Sequence, residues 1–212
     1  MRAEILICSV LFCLLASFPI HAWEDDGCYH PPNSPLIVDV RGDDIKLGPK
    51  GVGVYFDLYA TGTPIHMQWV RAHGDEAFLV ADLNGNGIVD NGGELFGVGT
   101  ELVFEGEQAT NGYIALQQYD SPSLGGNDDG QISNLDTIWS MLKLWTDRNA
   151  DGRSVPSEMQ TPQALGLTAF GTIPKLSKRV DEAGNTMPFY SWVSRSKGKK
   201  VLMVDVFFVG LP

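Results

Sequence analysis

The sequence predicts an α+β fold, with short β-hairpins at both ends and loop–helix units between them. Three observations carry this expectation. Apolar, β-branched runs cluster towards the two ends, as in Leu36–Val40 and Lys200–Val209. In the middle, Leu135, Ile138, Trp139 and Leu142 recur at i, i+3, i+4 and i+7, the period of one helix face. Between these segments lie stretches crowded with Asp, Asn and Gly. In DLNGNGIVDNGGELFG, Asp82–Gly97, oxygen donors alternate with other residues, a pattern that does not build a core.

In chain order, residues 1–22 read as a secretory signal. Arg2 precedes a nearly unbroken apolar run over Ile5–Ile20, which is short for a membrane span, and the charged Glu24, Asp25 and Asp26 follow at once. No membrane span is expected after its removal, and the expected location is secreted or periplasmic. Residues 23–34 read as a flexible tail and 35–212 as a single domain, with a loop–helix module over 35–170 and β-hairpins over 171–212. Strands are expected at Leu36–Val40, Val52–Leu58, Ile65–Val70 and Ala77–Ala81. Helices are expected at Gly112–Tyr119, at Leu135–Trp145 and briefly between Thr161 and Gly166. Thr186–Val193 and Lys200–Val209 form the closing hairpin.

Cys8 and Cys13 fall in the signal segment, which leaves Cys28 as the single cysteine of the mature chain and excludes an internal disulfide. A net charge of −11 and a pI near 4.6 argue against nucleic acid, because an acidic surface repels phosphates, and favour cations.

The acidic loops supply the chemistry. Asp147-Arg-Asn149-Ala-Asp151-Gly152 followed by Glu158 matches the EF-hand pattern D-x-[DN]-x-[DN]-G-x₅-E in full. Calcium needs six to eight oxygens at about 2.3–2.6 Å, and alternate residues of a tight loop can point them inward. Asp147, Asn149, Asp151, the Arg153 carbonyl and Glu158 are the candidate ligands. A second loop follows the same plan with Asp82, Asn84, Asn86, the Ile88 carbonyl and Asp90. Its closing Glu94 arrives one residue late, and Gly92-Gly93 offers slack to absorb the extra residue.

A third loop emerges once residues 122–126 are set aside. Asp120, Asn127, Asp129, the Gln131 carbonyl, Ser133 and Asp136 then take the ligand positions, and the insertion adds only modest closure entropy. Two or three Ca²⁺ ions are therefore expected in EF-hand-like sites; three would bring the formal charge from −11 to −5. Clusters of Asp, Asn and Gly also build ordinary turns. Three such loops in one exported chain, one of them complete, favour cages. Ser154 stands where an EF-hand places an aliphatic residue to pair with a neighbouring loop.

Residues 35 to about 170 resemble the calcium-dependent self-processing module of secreted bacterial RTX (repeats-in-toxin) iron-regulated proteins. The resemblance rests on SPLIVDVRGDDI, VYFDLYATG, FLVADLNGNGIVDNGGELFG, NGYIALQQYDS and LDTIWSMLKLWTDRNADG. It implies a secreted calcium-binding fold. Self-processing members are cleaved at an Asp-Pro bond, for which this chain has Ser34-Pro35. Serine lacks the carboxylate for that reaction, so self-cleavage of that type is not expected. The turns headed by Asp39 and Asp57 lack family donors at Arg41, Tyr59 and Thr61, and are expected to be structural.

Other readings are weaker. Arg41-Gly42-Asp43 fills one of those degenerate turns, His30, His66 and His73 lack zinc spacing, and no nucleophile motif appears. A non-catalytic binding or structural module is expected, with an unrecognised hydrolase or an atypical self-processing protein as the alternative. Residues 175–200 hold seven of the 15 basic residues. Solvated hairpin faces explain them, and so does a surface for an anionic glycan or protein partner.

Overall fold

The computed structural model describes residues 33–212. The expected signal segment, most of the expected tail, Cys8, Cys13, Cys28 and His30 lie outside them. No helix among the described residues is long and apolar enough to cross a membrane.

The fold is mostly β, which corrects the α+β expectation. Among the described residues eleven strands run in order: β1 Leu36–Asp39, β2 Gly53–Phe56, β3 Ile65–Gln68, β4 Glu76–Ala81, β5 Gln131–Ser133, β6 Leu142–Trp145, β7 Met159–Gln160, β8 Leu167–Gly171, β9 Lys175–Val180, β10 Thr186–Arg195 and β11 Lys200–Phe207. The one α-helix among the described residues, α1, spans Gly112–Gln117 and is capped by Asn111, whose side chain accepts from the N–H groups of Tyr113 and Ile114. Nine strands form one curled sheet in the order β5-β8-β10-β11-β1-β4-β6-β7, with β9 added beside β10; β2 and β3 form a separate hairpin.

The centre of the sheet is buried on both faces, so β1 and β4 read as nearly continuous apolar runs. Alternate residues serve two cores. Leu36, Val38, Leu79, Leu144 and Met203 pack on one side with Tyr113 and Leu116 of α1. Ile37, Phe78, Val80, Trp145 and Val204 pack on the other with Phe56, Met67 and Trp69 of the small hairpin. The first and last strands of the described residues meet here, because β1 lies antiparallel between β11 and β4. The last two residues of the expected tail belong to the fold: Asn33 bridges Phe208, and Ser34 is fully buried with its hydroxyl donating to Asp205.

Two expected helices are absent. Leu135–Trp145 is a 3-10 turn over Thr137–Met141 followed by β6, which pairs with β4. Ile138, Trp139 and Leu142 are buried together as the helical spacing requires, but Leu135 is exposed. A turn that leads into a strand satisfies the same spacing. Thr161–Gly166 is a run of turns closed by Gly166 at φ +68°.

Candidate metal centre

Five Asp-headed turns follow one repeated path, three of them after β1, β4 and β6 of this sheet, one after β2 of the small hairpin and one after α1. In each, a leading aspartate accepts a hydrogen bond from the backbone N–H five residues on, counting the inserted loop without its insertion. The pairs are Asp39–Asp44 at 2.8 Å, Asp57–Gly62 at 2.8 Å, Asp82–Gly87 at 3.1 Å, Asp120–Gly130 at 2.9 Å and Asp147–Gly152 at 2.9 Å. The fourth and sixth positions of all five turns have positive φ. Glycine fills the sixth position except at Asp44, where φ is +82°. The expectation of three better loops and two degenerate ones thus corresponds to one backbone form used five times.

In each of the three better loops, numbered from here on in chain order by their leading Asp82, Asp120 and Asp147, candidate ligands are hydrogen-bonded to one another. In the first, Asn84 and Asn86 donate to Asp90 at 2.7 and 2.8 Å, and the Asp90 N–H donates to Glu94 at 2.9 Å. The Ile88 N–H is held by Asn86 at 3.0 Å. Gly92 serves contact as much as slack: its N–H donates to the Asp57 carbonyl at 2.8 Å, and a β-carbon there would collide with the Leu58 carbonyl.

In the second, Asn127 donates to Asp129 at 3.1 Å and the Ser133 N–H to Asp136 at 2.6 Å, while Asp129 accepts from the Gln131 N–H at 3.0 Å. The insertion closes on itself, with the Asp128 N–H on the Asp120 carbonyl at 2.7 Å. Gly126 permits this pinch, since a β-carbon would strike Asp120.

In the third, Asn149 donates to Asp151 at 2.8 Å and the Arg153 N–H donates to Asp151 at 2.9 Å. The Arg148 N–H holds Glu158 at 2.9 Å.

The first and last carboxylates are inside and the middle ligands face water. Glu94, Asp120, Asp136, Asp147 and Glu158 are buried and Asp82 is half-buried, whereas Asn84, Asn86, Asn127, Asp129, Asn149 and Asp151 are exposed. Burial pushes the Glu94 and Asp147 carboxyls above the ordinary carboxylate range. Glu158 adds like-charge repulsion at Asp147. Two tryptophans reach from the core to the third loop. The indole N–H of Trp69 donates to Asp147 at 2.7 Å and that of Trp145 to Glu158 at 3.3 Å. Trp145 stands two residues before Asp147 in the sequence; Trp69, 78 positions from Asp147, carried no sequence signal.

The first and third loops are joined. The Ser154 hydroxyl accepts from the Val89 N–H at 2.5 Å and donates to the Val89 carbonyl at 3.2 Å. Ser154, the residue that departs from the aliphatic pattern, thus makes the inter-loop link through its side chain.

Oxygens of Asp39, Asp43 and Asp75 also gather within 4.8 Å of one another. Cations already stand beside this group. Lys46 lies 2.8 Å from Asp43, and Arg71 lies 3.9 Å from Asp75 and 3.6 Å from Glu76. Arg179 forks onto Asp44 at 2.5 and 2.9 Å. Sequence reading passed over Asp75, which reaches this turn by tertiary folding and takes the Arg41 N–H at 2.9 Å.

A curled β sheet fringed by Asp-headed, glycine-punctuated turns defines the class: a small extended-core module with an acidic rim. The family model of the SPM domain matches residues 36–209, and the chain belongs to that family. Over 182 residues it is 37% identical to the iron-regulated protein FrpA of Neisseria meningitidis serogroup C, which covers 85% of this chain and 16% of that protein. The chain therefore spans about one-sixth of the length of this relative. The resemblance drawn from the motifs holds at the level of the family.

Proposed function

We propose that the chain is an extracytoplasmic, non-catalytic module that binds up to three calcium ions as part of its folded structure. The observation that carries this reading is a set of buried oxygens without partners. Five buried side-chain polar atoms among the described residues lack a hydrogen bond, and three of them are Asp82 Oδ1, Glu94 Oε1 and Asp136 Oδ1. All three belong to expected ligands, and a buried carboxylate oxygen without a partner is costly. No Lys or Arg forms an ion pair with the carboxylates of these three loops among the described residues. Hard oxygens from carboxylates, amides and carbonyls suit calcium.

Asp82, Asn84, Asn86, Ile88, Asp90 and Glu94 would hold one ion. Asp120, Asn127, Asp129, Gln131, Ser133 and Asp136 would hold a second, and Asp147, Asn149, Asp151, Arg153 and Glu158 a third. Bound calcium would neutralise carboxylates that the fold otherwise buries against one another. Ser34, in place of the aspartate of self-processing relatives, commits its hydroxyl to Asp205, which supports a module that does not cut itself by that chemistry.

The test is calorimetric titration of chelator-stripped protein, residues 23–212, with tryptophan fluorescence in parallel. Saturable binding of two or three ions with ordering of Trp69 and Trp145 is expected. Absence of binding at millimolar calcium overturns the reading.

A further inference from the structure

A cleft opens at a seam in the sheet, bordered on one side by Gln131 of the second acidic loop. β10 pairs with β8 through Val193–Arg195 and with β9 through Thr186–Tyr190. Ser191 and Trp192 therefore face the junction where one neighbouring strand ends and the next begins. Gln131, Ile173, Lys175, Trp192, Ser194 and Lys200 line the resulting shallow cleft.

Its wall is an indole in contact with water. Trp192 is 43% exposed, whereas Trp69, Trp139 and Trp145 are buried. Tyr190 stands edge-on to it at 6.2 Å. Strand register places Lys175 opposite Tyr190 and Lys200 opposite Ser194. Tyr190, Trp192 and Ser194 share one face of β10, so the tryptophan sits midway between two lysine positions. Those positions are about 13 Å apart along the strand.

The positive charge here is unspent. Lys175, Lys178, Lys197, Lys199 and Lys200 are exposed, and none has a carboxylate within ion-pair distance among the described residues. The two arginines of the same stretch are engaged within the fold. Arg179 binds Asp44, and Arg195 binds the carbonyls of Val40 and Leu165 at 3.0 Å. On a chain of net charge −11, this is a local reversal of sign.

We propose that the cleft binds a carboxylated oligosaccharide, with the Trp192 ring against the apolar face of a uronate sugar and Lys175 and Lys200 on flanking carboxylates. A flat aromatic surface suits the C–H face of a pyranose, and the Gln131 amide and Ser194 hydroxyl are polar groups for its hydroxyls. A neutral sugar would leave the lysines unmatched, and an acidic peptide would leave the ring unmatched. Gln131 is the one lining residue shared with the proposed ion sites, where its backbone carbonyl and not its side-chain amide is the candidate ligand.

The experiment is fluorescence polarisation with labelled hyaluronan hexasaccharide on calcium-saturated full-length mature protein. Saturable binding is expected, weakened about tenfold in Trp192→Ala, the scale of one lost aromatic contact. Lys175→Ala/Lys200→Ala, at two exposed positions, should weaken it at least as much and keeps the test valid should the tryptophan variant misfold. Unlabelled chitohexaose, which has rings without charge, and hexaglutamate, which has charge without rings, should each compete poorly. Absence of binding, undiminished binding by the lysine double variant, or competition by either control equal to that of hyaluronan overturns the proposal.

Discussion

Among the described residues, the acidic side chains around the turn headed by Asp39 are ion-paired, whereas those of the turn headed by Asp147 are not, although Arg148 and Arg153 lie within it. The backbones of the two turns follow the same path, with positive φ at the fourth and sixth positions and the leading carboxylate clasped by N–H groups. Around Asp39, the acidic side chains are answered by Lys46, Arg71 and Arg179. Even the unpartnered Asp75 Oδ1 stands 3.9 Å from Arg71. Around Asp147, the inward carboxylates of Asp147 and Glu158 meet only backbone N–H groups and two indoles. The shape of the turn therefore does not require a metal. In the proposed reading, the way its charge is balanced decides which turns call for one.

Removing calcium is the sharpest way to break this comparison. Chelation should lower stability by about 2.7 kcal/mol for each site that is saturated a hundredfold above its Kd. Thermal melts in calcium and in chelator measure the loss, while the Asp39 turn keeps its ion pairs throughout.

Next come paired substitutions. Asp147→Asn should remove one ion from the calorimetric stoichiometry and forfeit about 2–3 kcal/mol of the calcium-dependent stability. Asp39→Asn turns an amide towards backbone donors and should cost about 1–3 kcal/mol equally with and without calcium, at unchanged stoichiometry. Equal behaviour of the two variants would erase the distinction.

Acidity separates the two turns by sign. Without metal, burial raises Glu94 and Asp147, so the folded chain keeps protons that the unfolded chain releases. Their contribution should weaken the fold as pH climbs above the ordinary carboxylate range, and calcium should flatten that trend. Hydrogen bonds from Arg179 hold Asp44 below the usual range. Its stabilisation is present above that range and fades as pH falls through it. Melting temperatures in chelator between about pH 2 and pH 7, for the parent, Asp147→Asn and Asp44→Asn, resolve the opposed slopes.

The smallest effect is expected at the inter-loop link. Ser154→Ala removes the bonds to Val89 and should cost about 1 kcal/mol. Its diagnostic reading is a shallower calcium titration at unchanged stoichiometry, because the first and third loops would fill independently.

The sequence makes the five Asp-headed turns legible because their residues are near neighbours: alternate donors and a glycine at the sixth position specify a turn wherever it occurs. The strands buried on both faces are legible as apolar runs, as at Leu36–Asp39 and Glu76–Ala81. β9 is not, because its KLSKRV lies largely exposed at the edge. The helix expected over Leu135–Trp145 failed for a related reason. Four apolar residues on a helical spacing also fit a 3-10 turn that runs into a strand, and pairing with β4 decides between them. Contacts that depend on distant chain, such as Ser154 with Val89 and Trp69 with Asp147, leave no periodic trace.

The pinched insertion in the second loop has a practical consequence. Residues 122–126 leave and rejoin at nearly one point, since the Asp128 N–H sits on the Asp120 carbonyl and the Gly126 N–H on the Ser121 carbonyl at 2.9 Å. Pro122 and Ser123 at its outer end are exposed. Foreign peptide grafted there would dangle from a closed neck, with the ligand spacing beneath it intact. The module thus carries a ready port for an epitope or affinity tag.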